Sequence, residues 1–394
     1  MRFFYHQPKS RECLVLDIGT SSISGFFVRV QARRAPEVIF PLEVGLGFSG
    51  EPRFIERRII KAAGELFPLL KRKLGAERPE QILVVFSPPL YSPLTPSIKM
   101  ARREIFVITP SLLDELIGEE LLSLKRKSHE MFSKSEGARV LENHMMRTLC
   151  NGYSVQDPIK KRTQELELAF YVSLVSRDLS EEMEDMLRHH FGALPIKMSS
   201  SALALFLILK DIFNAEEGFL LLDVGGEAME VSLVRGGVLE KVRSFAAGEN
   251  FMLRHLASSL NLVPEEVISL VRSAASGAVK AGLEQKVSGF LSKAGEKWCQ
   301  RLKQLLENIA EEKPLPQTLL LLGGSWSIET VKHCCQSQEV SSFTILGQPF
   351  RILTIVPKDL DGRLSILGFD RQDSKMTRPA LLALAGAGAL SGNF

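Results

Sequence analysis

Leu14-Val-Leu-Asp17-Ile-Gly19-Thr20-Ser21-Ser22 and, about 200 residues later, Gly218-Phe-Leu-Leu-Leu-Asp223-Val-Gly225-Gly226 decide the fold class of this chain. Each is a short apolar run that ends in Asp-x-Gly and turns back. The returning runs are Gly25-Phe-Phe-Val-Arg-Val30 and Met229-Glu-Val-Ser-Leu-Val234. Both read as strand, tight turn, strand. A weaker copy, Thr318-Leu-Leu-Leu-Leu-Gly323-Gly324-Ser325, leads into a helix instead. Recurrence at this distance predicts a duplicated αβ unit.

Such turns have a defined chemistry. Consecutive backbone N–H groups at a Gly-rich turn can cradle phosphate oxygens, and glycine lets the backbone come close to the anion. A carboxylate at the strand end repels phosphate, so Asp17 would act through a cation, as an outer ligand of hydrated Mg²⁺. Asp223 is the equivalent group of the second turn. Two such hairpins facing each other would clamp a triphosphate, with Gly323, Gly324 and Ser325 leaving bare backbone for a nucleoside.

Composition narrows the class. The chain has 394 residues, a net charge of +3, 45% apolar and 24% charged residues. That is enough chain for two or three domains, and near-balance of charge argues against a dedicated nucleic-acid binder. The five cysteines have no C-x-x-C spacing, which reads as a reducing, cytoplasmic setting. Adjacent Cys334 and Cys335 suggest neither an ordinary disulfide nor a zinc site. The uncharged stretch Pro379 to Phe394 falls short of the ~20 apolar residues of a membrane span.

Between the two hairpins the chain reads as follows. Helices are expected at Arg57 to Leu74, at Ser180 to Phe191 with Ser180 as N-cap, and at Ser199 to Phe213, which is apolar nearly all round. Lys286 to Glu312 reads as a long amphipathic helix in the second half. The region 81–175 differs: a strand at Ile82 to Phe86, a helix from Pro110 to about Met131, and strands at Arg139 to Leu149 and Glu165 to Val175, which together read as a small α+β insert. His189-His190 face apart on a helix and suit no single metal.

These motifs resemble the actin/Hsp70/sugar-kinase superfamily. Asp17-Ile-Gly19-Thr20 is similar to its first phosphate motif, Asp223-Val-Gly225-Gly226 to its second and Leu322-Gly323-Gly324-Ser325 to its adenosine motif. Ser199 to Leu209 and Ala380 to Leu390 stand where its two connecting helices belong. Within the superfamily the chain resembles the bacterial division protein FtsA, through the insert with Asn151-Gly-Tyr-Ser-Val-Gln-Asp-Pro158 and Leu166-Glu-Leu-Ala-Phe-Tyr-Val172. Phe245-Ala-Ala-Gly248 and the following residues to Leu256 resemble the Gly-Gly turn and helix of the second lobe. PilM, a pilus-assembly relative with a similar insert, is the nearest competitor.

The resemblance implies an α/β, actin-like ATPase fold of two lobes built from duplicated βββαβαβα units, with an SHS2-type insert in the first. The expected division is 1–80 with 176–212 for the first lobe (subdomain 1A), 81–175 for the insert (1C), and 213–394 for the second lobe, its 2B part at about 246–315. It implies ATP with Mg²⁺ between the lobes, held by Asp17, Gly19, Thr20, Ser21, Ser22, Asp223, Gly225, Gly226, Gly248, Gly323, Gly324 and Ser325. It further implies self-association into filaments and docking of the tail of the tubulin-like protein FtsZ, at the inner face of the cell membrane. The PilM-like alternative is a cytoplasmic adaptor binding a short N-terminal peptide of a membrane-bound pilus or secretion partner. A second alternative is a nucleotide-free actin-fold adaptor.

Several residues depart from the pattern. Glu227, Ala228, Met229 and Glu230 stand where the second phosphate motif continues Gly-Thr-Thr-Asp, so two hydroxyl donors are missing. A Glu227 carboxylate roughly 6 Å from a phosphate would be repelled by about 3 kcal/mol at an effective dielectric near 20. Val267, Ile268 and Val271 replace a polar nucleoside-holding pattern, and Trp326 either stacks on a base or blocks it. Hydrolysis is expected to be weak at best. The sequence ends without a basic amphipathic tail, so a membrane-bound partner is expected to supply attachment. A sugar-kinase reading lacks an Asp placed as general base.

Overall fold

The run Cys13 to Leu16 has no polar face, and all four side chains are wholly buried, as a strand covered on both sides requires. The computed structural model describes residues 10–47, 54–75, 77–128, 137–275, 281–366 and 377–392. Strands β1 (Arg11–Ile18), β2 (Ser22–Val30) and β3 (Glu37–Gly45) form an antiparallel meander. Helix α1 (Ile55–Leu74) lays Ile59, Ala63, Leu66, Phe67 and Leu70 against this sheet. Strand β4 (Gln81–Phe86) then adds parallel to β1.

The insert follows: β5 (Tyr91–Leu94), β6 (Ser97–Val107), α2 (Pro110–Ser128), β7 (Ala138–Cys150), β8 (Tyr153–Ser154) and β9 (Arg162–Ser176). β9 is its centre, pairing β5 and β6 on one side and β7 on the other. Alternate residues Leu166, Leu168, Phe170, Val172 and Leu174 form its core, the period of two of a strand with one buried face.

Helix α3 (Arg177–Phe191) begins earlier than the sequence suggests. Ser176, not Ser180, caps it, accepting from the Leu179 N–H at 3.4 Å, while the Ser180 hydroxyl donates to the Arg177 carbonyl inside the helix. Strand β10 (Ile196–Ser200) extends through Ser199 and Ser200, which pair with Val85 and Phe86. Helix α4 (Ser201–Leu209) is therefore shorter than the apolar run, because its first two serines complete a sheet instead.

The second half repeats the plan with β11 (Phe219–Val224), β12 (Met229–Arg235) and β13 (Val238–Phe245). Helices α5 (Glu249–Leu260), α6 (Pro264–Ala275) and α7 (Ala281–Ala310) precede β14 (Thr318–Leu322). After it come α8 (Ser325–Cys335), α9 (Gln338–Ser341), β15 (Arg351–Thr354), β16 (Ser365–Ile366) and α10 (Thr377–Ser391). The order β13-β12-β11-β14-β15 copies β3-β2-β1-β4-β10 strand for strand, and β16 adds to the outer edge of β3. The duplication read from two turns is thus present in both sheets.

The layers lock together through α4 and α10. Phe219, Leu221, Leu320 and Leu322, on one face of the second sheet, join the same core as β1 and β4, while Leu220, Leu222, Leu319 and Leu321 pack with Trp298 and Leu302 of α7 on the other. Helix α10 packs on β1, β2 and α4. Gly386 permits this approach, since a Cβ there would fall 2.5 Å from the Val15 Cγ2. Cys299 and Cys334 are joined in a disulfide with Cα atoms 5.4 Å apart, correcting the expectation of unpaired cysteines. The pairing follows from the packing of α7 on α8, which no local spacing reveals.

Candidate functional site

The ends of β1 and β11 meet where the two halves face each other. Asp17 and Asp223 sit there, 7% and 5% exposed. A third side chain, Arg378 from the first turn of α10, lies between them. Its Nε donates to Asp17 Oδ2 at 2.8 Å and its Nη1 donates to Asp223 Oδ2. Its Nη2 donates to Ser87 Oγ at 2.6 Å, just past β4. Burial alone would lower the Arg378 pKa, but the two aspartates raise it above its ordinary value. Burial pushes the Asp17 carboxyl up and the guanidinium pulls it back. Arg378 is the sole charged residue in α10. A single charge heading an otherwise uncharged buried helix is the signal that could have found it.

The two Gly-rich turns touch. The Glu227 N–H donates to Thr20 Oγ1 at 2.9 Å. A Cβ on Gly226 would fall 2.2 Å from Ser21 Oγ and 2.8 Å from Ser21 N. The carbonyls of Gly225 and Gly226 accept from the N–H groups of Glu249 and Asn250 at the start of α5, and the Glu227 carbonyl accepts from the Gly248 N–H. A Cβ on Gly248 would lie 2.2 Å from the Gly225 oxygen. Glu227 turns away from the first turn and into α5, accepting from Asn250 Nδ2 at 2.8 Å and from Arg254 Nη2 at 2.7 Å.

The structure thus brings Asp17, Thr20, Ser21, Asp223, Gly225, Gly226 and Gly248 together. Gly19 makes the tight β1–β2 turn, where a Cβ would lie 2.6 Å from the Ser22 carbonyl, and Ser22 opens β2. Gly323 follows β14, and Gly324 caps α8. The Gly324 N–H donates to Glu249 Oε1 at 3.1 Å. The backbone of Ser325 opens α8, and the side chains of Ser325 and Trp326 lie outside the described residues. Val267 and Val271 pack with Leu256 and Leu253 in a small apolar cluster on α5.

These residues do not fit Mg²⁺-ATP. Mg²⁺ needs a near-octahedral shell of oxygens and retains several waters, and a guanidinium fills the place between the carboxylates. The turn amides and helix N-termini that could receive phosphate are turned onto Thr20, onto turn carbonyls and onto Glu249. Among the described residues, no group of three His, Cys, Asp or Glu side chains could hold a metal ion.

A second buried polar chain adjoins this latch. The Tyr91 hydroxyl of β5 donates to Glu230 of β12 at 2.6 Å and accepts from the Ala202 N–H of α4 at 3.3 Å. Burial pushes the Glu230 carboxyl up to about 8; the Tyr91 bond opposes this and Asp223 adds to it. Farther along, Glu142 of β7 accepts from the Ser200 N–H at 3.0 Å and from Ser173 Oγ at 2.7 Å. Beside it lies a cavity of about 350 Å³, lined among others by Arg139, Glu142, His144, Ile196, Lys197 and Met198. Its walls are the outer edges of β7 and β10. Among the described residues β10 pairs only with β4, and on this side β7 pairs only at Leu149 and Cys150, with β8. His144 is held below its ordinary pKa by burial and then by Lys210 and Lys197.

Comparison with known proteins agrees with this architecture. A solved structure described as the "PilM-PilN type IV pilus biogenesis complex" superposes with a TM-score of 0.64 at 15% identity, covering 97% of this chain and 98% of that one. The chain has the actin-like ATPase fold. The ethanolamine utilization protein EutJ from Carboxydothermus hydrogenoformans also matches, at TM-score 0.46, 13% identity, 96% of this chain and 90% of that one. No protein-family model matches the sequence, and no curated protein matches it. Among the described residues no helix is long and apolar enough to cross a membrane.

Proposed function

We propose that the chain is an actin-fold adaptor of the PilM-like kind, which holds a short extended segment of a membrane-bound assembly partner in the groove between β7 and β10. The observation that carries this reading is the pair of strand edges facing each other across that groove. An exposed edge offers unpaired N–H and C=O groups, and an extended peptide can add to it as a further strand. Lys197 lines the groove beside His144, and the occupant is proposed to set an acidic side chain against it. The closed cleft supports an adaptor whose work lies on its surfaces. The likeness to PilM over nearly the whole chain, insert included, supports the pilus side of the reading.

The test is a panel of labelled peptides from the cytoplasmic tails of pilus-assembly and division membrane proteins, together with the FtsZ tail, titrated into the full chain. The expected result is one acidic, extended segment that protects backbone amides of 138–144 and 196–200 from hydrogen exchange. Lys197→Glu should weaken it about tenfold, the scale of one lost charge pair of ~1.4 kcal/mol. Binding of the FtsZ tail with protection confined to the second half, or nucleotide-dependent filaments, would favour the FtsA-like alternative instead. In either reading the chain works at the inner face of the membrane through a partner.

A further inference from the structure

We infer that Arg378 is a built-in cation that takes the place of a divalent metal ion in this cleft and latches the two lobes closed without metal or nucleotide. Asp17 and Asp223 end equivalent strands of the two duplicated sheets, and both are almost wholly buried. Two buried carboxylates facing one another require a counter-charge. The sequence supplies it from a helix anchored elsewhere: α10 packs on β1, β2 and α4, with Thr377 Oγ1 donating to the Ile355 carbonyl at 3.1 Å.

The guanidinium suits this place by shape as well as charge. Its planar fork gives Nε to Asp17, Nη1 to Asp223 and Nη2 to Ser87, so one side chain binds the ends of β1 and β11 and the turn after β4. A lysine ammonium has charge without that fork. The latch also accounts for the contact between the turns. With the strand ends drawn together, Gly226 lies against Thr20 and Ser21, and the Glu227 N–H reaches Thr20. In this chain the closed arrangement is the resting one. The inference is independent of the groove reading and stands whether or not a peptide binds there.

The test uses the full chain with Arg378→Ala, Arg378→Lys and Arg378→Ala combined with Asp17→Asn. Mn²⁺ is the probe, read by the loss of its free electron paramagnetic resonance signal and by thermal unfolding. The wild type should bind no Mn²⁺ at the cleft and unfold at the same temperature with Mn²⁺ or EDTA. Arg378→Ala should unfold about 5–10 °C lower, the scale of a broken buried pair in a chain of this size. It should bind one Mn²⁺ per chain and regain part of the loss, and the added Asp17→Asn should abolish both effects. Arg378→Lys should keep at least half of the stability lost in Arg378→Ala and bind no Mn²⁺. If Arg378→Ala does not fold, a folded Arg378→Lys chain with a small loss upholds the role of the charge. The inference is overturned if the wild type binds Mn²⁺ in a way that Asp17→Asn removes. It is equally overturned if Arg378→Ala is as stable as the wild type or gains nothing from Mn²⁺, or if Arg378→Lys is no better than Arg378→Ala.

Discussion

At the scale of single residues the cleft is a set of paired buried charges, and each pair makes its own prediction. Glu227 is 3% exposed, and its partners Arg254 and Asn250 lie on α5. Glu227→Ala leaves Arg254 without its carboxylate and should lower stability by about 3 kcal/mol in urea unfolding. Glu227→Ala with Arg254→Ala should cost at least about 1 kcal/mol less than the sum of the two single changes; additive losses would remove the pair from the account. Glu230 carries a pH dependence. Folding raises its pKa to about 8, so the folded chain keeps a proton that the unfolded chain releases. Its contribution is full below the ordinary glutamate range and is lost as pH rises toward 8. Glu230→Gln should flatten the decline in urea midpoint between about pH 5 and pH 8, and an unchanged decline would place its cause elsewhere. The glycines of the turns and Asp17 and Asp223 were visible in the sequence, because turn chemistry is local. Arg378 was not, because its partners stand 361 and 155 residues away.

Elements show the same division between local and distant causes. The hairpins β1–β2 and β11–β12 and the helix α1 follow from apolar pattern and glycine alone. Strand β6 did not show itself: Ile98 and Met100 alternate with exposed residues for only five positions before Arg102, Arg103 and Glu104 interrupt the pattern. The end of β10 was hidden for the opposite reason, since Ser199 and Ser200 sit beside an apolar helix and pass for its first turn. Helix α10 offers a test in which propensity and packing disagree. Gly→Ala in a helix ordinarily gains up to about 1 kcal/mol. At Gly386 the new methyl would meet Val15 at 2.5 Å, and overpacking costs ~1–3 kcal/mol. Gly386→Ala should therefore destabilise, while Gly388→Ala, where a Cβ meets nothing within 4 Å, should be neutral or stabilising. Equal effects at the two positions would mean that α10 does not press on β1 as described.

At the scale of the whole molecule two copies of one sheet plan are joined by α4 and α10 and fastened at the strand ends by Arg378. Duplication and overall fold class were readable because they rest on repeated motifs; the state of the cleft was not, because it depends on how the two copies meet. The same motifs that resemble a nucleotide site are used here to hold the lobes together. Calorimetric titration of the full chain with Mg²⁺-ATP, beside Asp17→Ala, tests that claim most directly. The account predicts no saturable heat with the wild type, whose fold and unfolding temperature stay the same with Mg²⁺-ATP or EDTA. Saturable binding near the micromolar range that Asp17→Ala abolishes would contradict it.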